Sequence, residues 1–190
     1  MGKDKLVYSE IDNPSDVKLQ QFSDFFNSFA REKNLPPCNF DKLKSVRDIK
    51  ALVMTYVTDN NNKILCASIF IVDQVNKQLY WLYGASDRLT RTTKEEQALV
   101  GRANKLLHWK GIESAIERGM NWYNFGGEVI RKGDEGVNDF KRRIGTMNGN
   151  DKFIYIPKTM LGRLCVTYLY YRWKKNYQFH YNAQKSSMPY

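Results

Sequence analysis

Apolar positions along this chain change their period several times, and the changes divide it into elements. Phe22, Phe25, Phe26, Phe29 and Ala30 recur at spacings of three and four, which predicts a helix with one buried stripe. Asn13 as cap, Pro14 at the first helical position and Asp16 in the first turn predict its start, and Pro36-Pro37 stop it. The β-rich residues Lys5–Ile11 before it predict a short strand, and "FDKLKSVRDIK" after it a second, weaker helix. Three strands are then predicted, over Ala51–Thr58, Ile64–Val72 and Leu79–Ser86. The links "DNNNK" and "DQVNKQ" are short and turn-rich, and links this short join antiparallel neighbours, so the three form a meander. A long helix over Lys94–Arg118, a strand Asn121–Phe125, a helix near Val137–Arg143, a strand Lys152–Pro157 and a last helix Met160–Trp173 complete the order.

The long helix has an irregular stripe. At about 100° per residue, Leu99, Val100, Ala103, Leu106 and Leu107 share one arc, while Trp109, Ile112, Ala115 and Ile116 lie roughly opposite. The apolar face therefore changes sides around His108, which predicts a break there or two halves packed on different partners.

A chain of 190 residues can bury a full core, and 42% hydrophobic with 26% charged residues places it among globular proteins. The reading is one domain over residues 1–177, with 178–190 as a frayed tail. Charge changes the picture: 30 Lys+Arg against 20 Asp+Glu gives +10. Such an excess favours phosphate in some form, whether a cofactor pyrophosphate, a nucleotide-linked substrate, tRNA or an anionic lipid surface; a merely basic surface is the plain alternative. Three scattered cysteines, Cys38, Cys66 and Cys165, suit reduced thiols rather than a disulfide framework. No C-x-x-C or Cys/His cluster suggests a metal. The start "MGKDKLVYSEID" has no apolar run of a signal peptide and no segment is long enough to span a bilayer, so a cytoplasmic protein is expected.

The candidate chemistry centres on "NWYNFGGEVIRKGDEGVNDFKRRIGT" (Asn121–Thr146), where an aromatic strand, a Gly-Gly turn and a basic helix are packed together. The order of elements resembles the GNAT-type N-acyltransferase fold, a mixed α/β (α+β) architecture with a central, mostly antiparallel sheet flanked by helices. Within that superfamily the chain resembles the Fem-type (FemAB-like) peptidoglycan aminoacyltransferases. The motifs are Leu106-Leu107-His108-Trp109, Ile112, Ala115, Gly119, then Tyr123-Asn124-Phe125-Gly126-Gly127, then Phe140-Lys141 with Gly145, preceded by "YGAS" (Tyr83–Ser86). They cover about Val53 to Pro157 and match the second of the two domains that bridge-building members carry. Two positions depart from the pattern: Asn124 stands where the family has Asp, and Ile144 where it has Phe.

The resemblance implies acyl or aminoacyl transfer from a thioester or aminoacyl-tRNA donor to an amine of a cell-envelope precursor. It implies that the backbone around Gly84, Ala85 and Ser86 holds the carbonyl and that Lys141 acts in catalysis; a solvated surface lysine is the bland alternative. The superfamily's CoA-pyrophosphate motif is matched only loosely, by "QALVGRA", where Gly101 and Arg102 could supply an amide and a charge. His108, Asp139 and Glu128 are general-base candidates, and Trp109, Tyr123, Gly126, Gly127 and Arg142 candidate substrate contacts. A catalytically silent binding domain, half of a dimeric assembly, is one rival reading, and a tRNA- or RNA-binding protein another. The last helix mixes Arg163, Arg172, Lys174 and Lys175 with "TYLYYRW". That mixture fits a contact with the inner face of a membrane, though a helix docked on its own sheet is the plainer reading.

Overall fold

The computed structural model describes residues 5–127, 135–144, 147 and 156–185. They fall in two compact units, Met1–Ile144 and Gly145–Tyr190. The first unit contains β1 (Val7–Asp12), α1 (Asp16–Glu32), α2 (Phe40–Asp48), β2 (Leu52–Thr58), β3 (Ile64–Asp73), β4 (Gln78–Ser86), α3 (Lys94–Glu117), β5 (Trp122–Asn124) and α4 (Glu135–Arg143); the second contains α5 (Met160–Lys185). The expected strand Lys152–Pro157 lies for the most part outside the described residues, as does Glu128.

The strands form one sheet in the order β1-β2-β3-β4-β5. The first three pairings are antiparallel, the β2–β3 and β3–β4 pairs as their short links require, and β5 lies parallel to β4. Period-two alternation gives the sheet two apolar faces. Leu52, Met54, Ala67 and Ile69 pack with Leu19, Phe22, Phe26 and Ala30 of α1 and Leu43 of α2. Val53, Val57, Leu65, Phe70 and Leu79 pack with Val100, Ala103 and Leu107 of α3. Each large side chain buried this way contributes about 1.5–3 kcal/mol, so this layering of helices on both faces holds the unit together.

Two expectations are corrected. The cap of α1 is Ser15 and not Asn13; the Ser15 hydroxyl accepts the N–H of Lys18. Asn13 instead takes a left-handed turn (φ 46°) and exchanges hydrogen bonds with the backbone of Leu52, tying the turn to β2. The second correction concerns α3, which is unbroken and keeps one buried stripe throughout. His108, Gly111, Ser114 and Ala115 continue the line of Val100, Ala103 and Leu107, while Trp109 and Ile116 are exposed. Hydrophobicity misled here because the stripe turns small and polar where it meets other side chains. A Cβ on Gly111 would stand 2.9 Å from the Tyr123 hydroxyl. Ser114 and Arg118 both bond Glu10 of β1, at 2.7 and 2.6 Å. Burial alone would raise the Glu10 carboxyl, but these bonds and one from Tyr8 hold it below its usual range.

β4 carries an irregularity that matters for the site. Ile69 pairs with Tyr83 and Phe70 with Trp81, which leaves Leu82 as an extra residue. A bulge of this kind reverses the alternation beyond it. Trp81 and Gly84 therefore share the α3 face, and the indole lies across Gly84: a Cβ there would come within 2.2 Å of Trp81 Cζ2.

Candidate active site

β5 pairs only with Gln78, Leu79 and Tyr80, so the edge of β4 from Trp81 to Ser86 has no strand beside it among the described residues. The chain leaving β5 turns sharply at this point. Gly126 adopts φ +69°, a region costly for residues with a side chain, and its N–H is accepted by the Asn124 side chain at 2.8 Å. α4 then returns Phe140 and Lys141 toward the turn. Lys141 is buried, and its Nζ donates to the carbonyls of Gly127 at 2.7 Å and Gly126 at 3.3 Å. The same ammonium lies 5.8 Å from the centre of the Trp81 ring. A solvated surface lysine it is not; Arg142, its neighbour, is exposed and pairs with Asp139.

His108 faces this turn from α3. Its ring is enclosed by Trp81 at 4.7 Å, Phe125 at 5.2 Å and Phe140 at 5.2 Å, and Nδ1 lies 2.8 Å from the Tyr123 hydroxyl. Burial, and after it the positive charge of Lys141, hold its pKa down from 6.5 to about 3. The imidazole is therefore neutral at neutral pH. Its Nε2 is buried and finds no hydrogen-bond partner among the described residues. An unsatisfied buried polar atom typically costs about 1–3 kcal/mol, and a native structure retains few of them. Tyr123, half-buried among the same rings, has its pKa raised by desolvation and stays a phenol.

The structure thus brings Lys141, His108, Tyr123, Gly126 and Gly127 together, with the edge running to Gly84, Ala85 and Ser86. It does not bring in Asp139 or Arg142, which lie on the outer side of α4, or Trp109, which turns outward and donates to Glu113. Trp81 was missed. It lies edge-on to His108 and Phe125, near the Lys141 ammonium, and donates to Ser68 Oγ at 3.1 Å, yet in the sequence it is one more aromatic in a strand. The signal was Gly84, three residues on, a glycine whose space the indole fills.

Gly101 and Arg102 stand in the second turn of α3, where the Gly101 amide belongs to the helix's own ladder. The actual N-terminus of α3 is closed. Thr93 Oγ1 accepts the Glu96 N–H, and the Glu96 carboxylate accepts the Thr93 N–H, a reciprocal capping box. Glu95 and Glu96 place two negative charges in the first turn. Nearby Arg91 is paired with Asp87 and Glu96, although its Nε makes no hydrogen bond among the described residues, and Gln97 donates its side chain to the Arg91 carbonyl. A pyrophosphate needs free amides and positive potential at a helix start. These residues do not fit one. Among the described residues no group of three or more His, Cys, Asp or Glu is placed to hold a metal ion.

No protein-family model matches the chain, and no curated protein matches it in sequence. Solved structures do match in shape. An aminoglycoside acetyltransferase from an uncultured soil metagenomic sample, solved with sisomicin, aligns with a TM-score of 0.55 at 16% identity, covering 80% of this chain and 97% of that one. A ribosomal-protein-alanine N-acetyltransferase from Brucella melitensis aligns at 0.53 and 12% identity, covering 78% and 96%. An aminoglycoside N-acetyltransferase in complex with CoA aligns at 0.51 and 7% identity, covering 83% and 98%. The fold of this chain is accordingly GNAT-like: a five-stranded, mostly antiparallel sheet between helices, shared with N-acetyltransferases.

Proposed function

We propose that this chain is an N-acyltransferase that presents an activated acyl or aminoacyl carbonyl to an amine at the edge of β4 beyond its pairing with β5. One observation carries the reading: a buried lysine, Lys141, held by two carbonyls of the Gly-Gly turn beside that edge. The acceptor nitrogen forms a bond to the carbonyl carbon, the bond to the donor's leaving atom breaks, and the proton lost by nitrogen passes to that leaving atom. Negative charge grows on the carbonyl oxygen meanwhile. Backbone amides along Gly84–Ser86 receive that oxygen, and the Lys141 charge stabilises it in a site walled from water by Trp81 and Phe125. His108 is fully covered and neutral, so its part is to position the Tyr123 hydroxyl below the reacting groups.

The motif series shared with the Fem-type enzymes supports an amine of a cell-envelope precursor as acceptor. One structural neighbour holds CoA, but the closed start of α3 in this chain favours aminoacyl-tRNA as the donor. The +10 charge suits that donor as well. The test offers acetyl-CoA and aminoacyl-tRNA with a panel of amines, following thiol release and deacylation. Lys141→Met should lower turnover by about 10²–10³, as loss of an oxyanion donor does, and Lys141→Arg should restore part of it. Equal, small losses in Lys141→Met and Arg142→Met would refute the assignment.

A further inference from the structure

The second unit carries a surface that acyl transfer does not explain. Every described side chain of α5 is exposed except that of Val166, which is half covered. Leu161 is 71% exposed, Leu164 70%, Tyr168 64% and Trp173 59%. The charge of the helix has one sign. Over Met160–Lys185 the sequence has five basic residues, Arg163, Arg172, Lys174, Lys175 and Lys185, and no Asp or Glu. At about 100° per residue, Arg163, Thr167 and Lys174 share a narrow polar strip, and Leu161, Cys165 and Leu169 lie opposite. Arg172 and Lys175 fall within the apolar arc, where long cationic side chains lay their stems on hydrocarbon and send their charges outward.

We propose that α5 is a membrane-surface helix that seats on an anionic bilayer. Three occupants compete for such a face, and charge and aliphatic surface separate them. A second copy would set like charge against like, since α5 has no carboxylate to answer its own cations. RNA would answer the charge and stack on the rings, but it has no use for the aliphatic surface of Met160, Leu161, Leu164 and Leu169. Anionic lipid answers both. Its tails take the aliphatic residues; its interface takes Tyr168, Tyr171 and Trp173; its phosphates take Arg172 and Lys175 directly, while Lys174 on the outer strip adds longer-range attraction to the anionic surface. Among the described residues no helix is long and apolar enough to cross a membrane, so α5 lies along the surface. The proposal is independent of the chemistry assigned to Lys141.

The test is liposome flotation of the full chain, with phosphatidylcholine alone and with phosphatidylglycerol added, at low and high salt. Binding should require phosphatidylglycerol and fall as salt rises. The Arg172→Gln, Lys174→Gln, Lys175→Gln triple should weaken partitioning about 100-fold. Removing three exposed lysines of the first unit, Lys42, Lys77 and Lys105, makes the same change in net charge and should cost at most about a few-fold. Leu161→Gln with Leu169→Gln should also release the chain while its circular dichroism and melting stay unchanged. Equal losses from the two charge triples would overturn the proposal. So would equal binding to uncharged vesicles, or a dimer that the leucine pair dissolves. Binding of the α5 helix to a tRNA probe with none to the vesicles would overturn it too.

Discussion

The two ends of α3 are built in opposite ways. At its start most polar groups find a local answer: Thr93 and Glu96 cap each other, Arg91 pairs with Asp87 although its Nε makes no hydrogen bond among the described residues, and Gln97 reaches back to the loop. Such an end is stable by itself and has little left to offer a ligand. Around His108 the helix does the reverse. It buries an imidazole with an unpartnered nitrogen, gives up a side chain at Gly111 to admit Tyr123, and lies near a buried ammonium from α4. Groups this costly to bury persist at functional sites more readily than in ordinary core. The difference supports the proposed placing of the chemistry around Lys141 over the helix start, where the superfamily motif would put the donor's phosphates.

The largest expected consequence is a pH dependence of stability. The pKa of His108 is about 3 when folded and about 6.5 when unfolded. A depressed value stabilises the fold above the unfolded pKa, and that stability is lost as pH falls from there toward the folded value. Between pH 6.5 and 5 the loss should be about 2 kcal/mol. His108→Gln should flatten the slope of melting temperature over this window; His180→Gln, removing the chain's other histidine, is the control. An unchanged slope in His108→Gln would mean that the imidazole is not buried neutral.

The two glycines expected to bind a cofactor should then part company. Gly84→Ala drives a methyl into the Trp81 ring and should cost about 1–3 kcal/mol, with loss of activity as the indole leaves His108 and Lys141. Gly101→Ala meets nothing within 4 Å and should stabilise the helix by up to about 1 kcal/mol. The reverse ranking would move the site to the start of α3. Thr93→Ala should cost about 1 kcal/mol through the lost cap and leave donor affinity unchanged. Asn124→Asp should be smallest, within about 0.5 kcal/mol, because the oxygen that accepts the Gly126 N–H is retained, although the 3.2 Å bond from its amide to Gln78 is lost; denaturant midpoints measure all four.

Much of the fold was legible because it rests on local periods and short links. The meander follows from two turns, and the α1 stripe from the spacing of Phe22, Phe26 and Ala30. Of the proposed site, the sequence marks only Lys141 and the Gly-Gly turn, through the motif that holds them. Its other half rests on contacts between residues far apart in the chain. The Leu82 bulge that turns Gly84 toward Trp81 has no mark in a single strand's pattern. His108, Gly111 and Ser114 look like a gap in an apolar stripe until Tyr123 and Glu10 fill it. Asp139 and Arg142 stand beside Lys141 in the sequence, but about 100° of helix turn per residue sends neighbouring side chains different ways, and these two pair with each other at the surface.

Amide chemical-shift mapping of the labelled chain tests the central claim most directly, with acetyl-CoA and a 3′-aminoacyl adenosine as probes. The account predicts that whichever probe binds will shift Gly84, Ala85, Ser86, Gly126 and Gly127, and that Lys141→Met will abolish those shifts. Shifts confined to Thr93–Gln97, undisturbed by Lys141→Met, would contradict it.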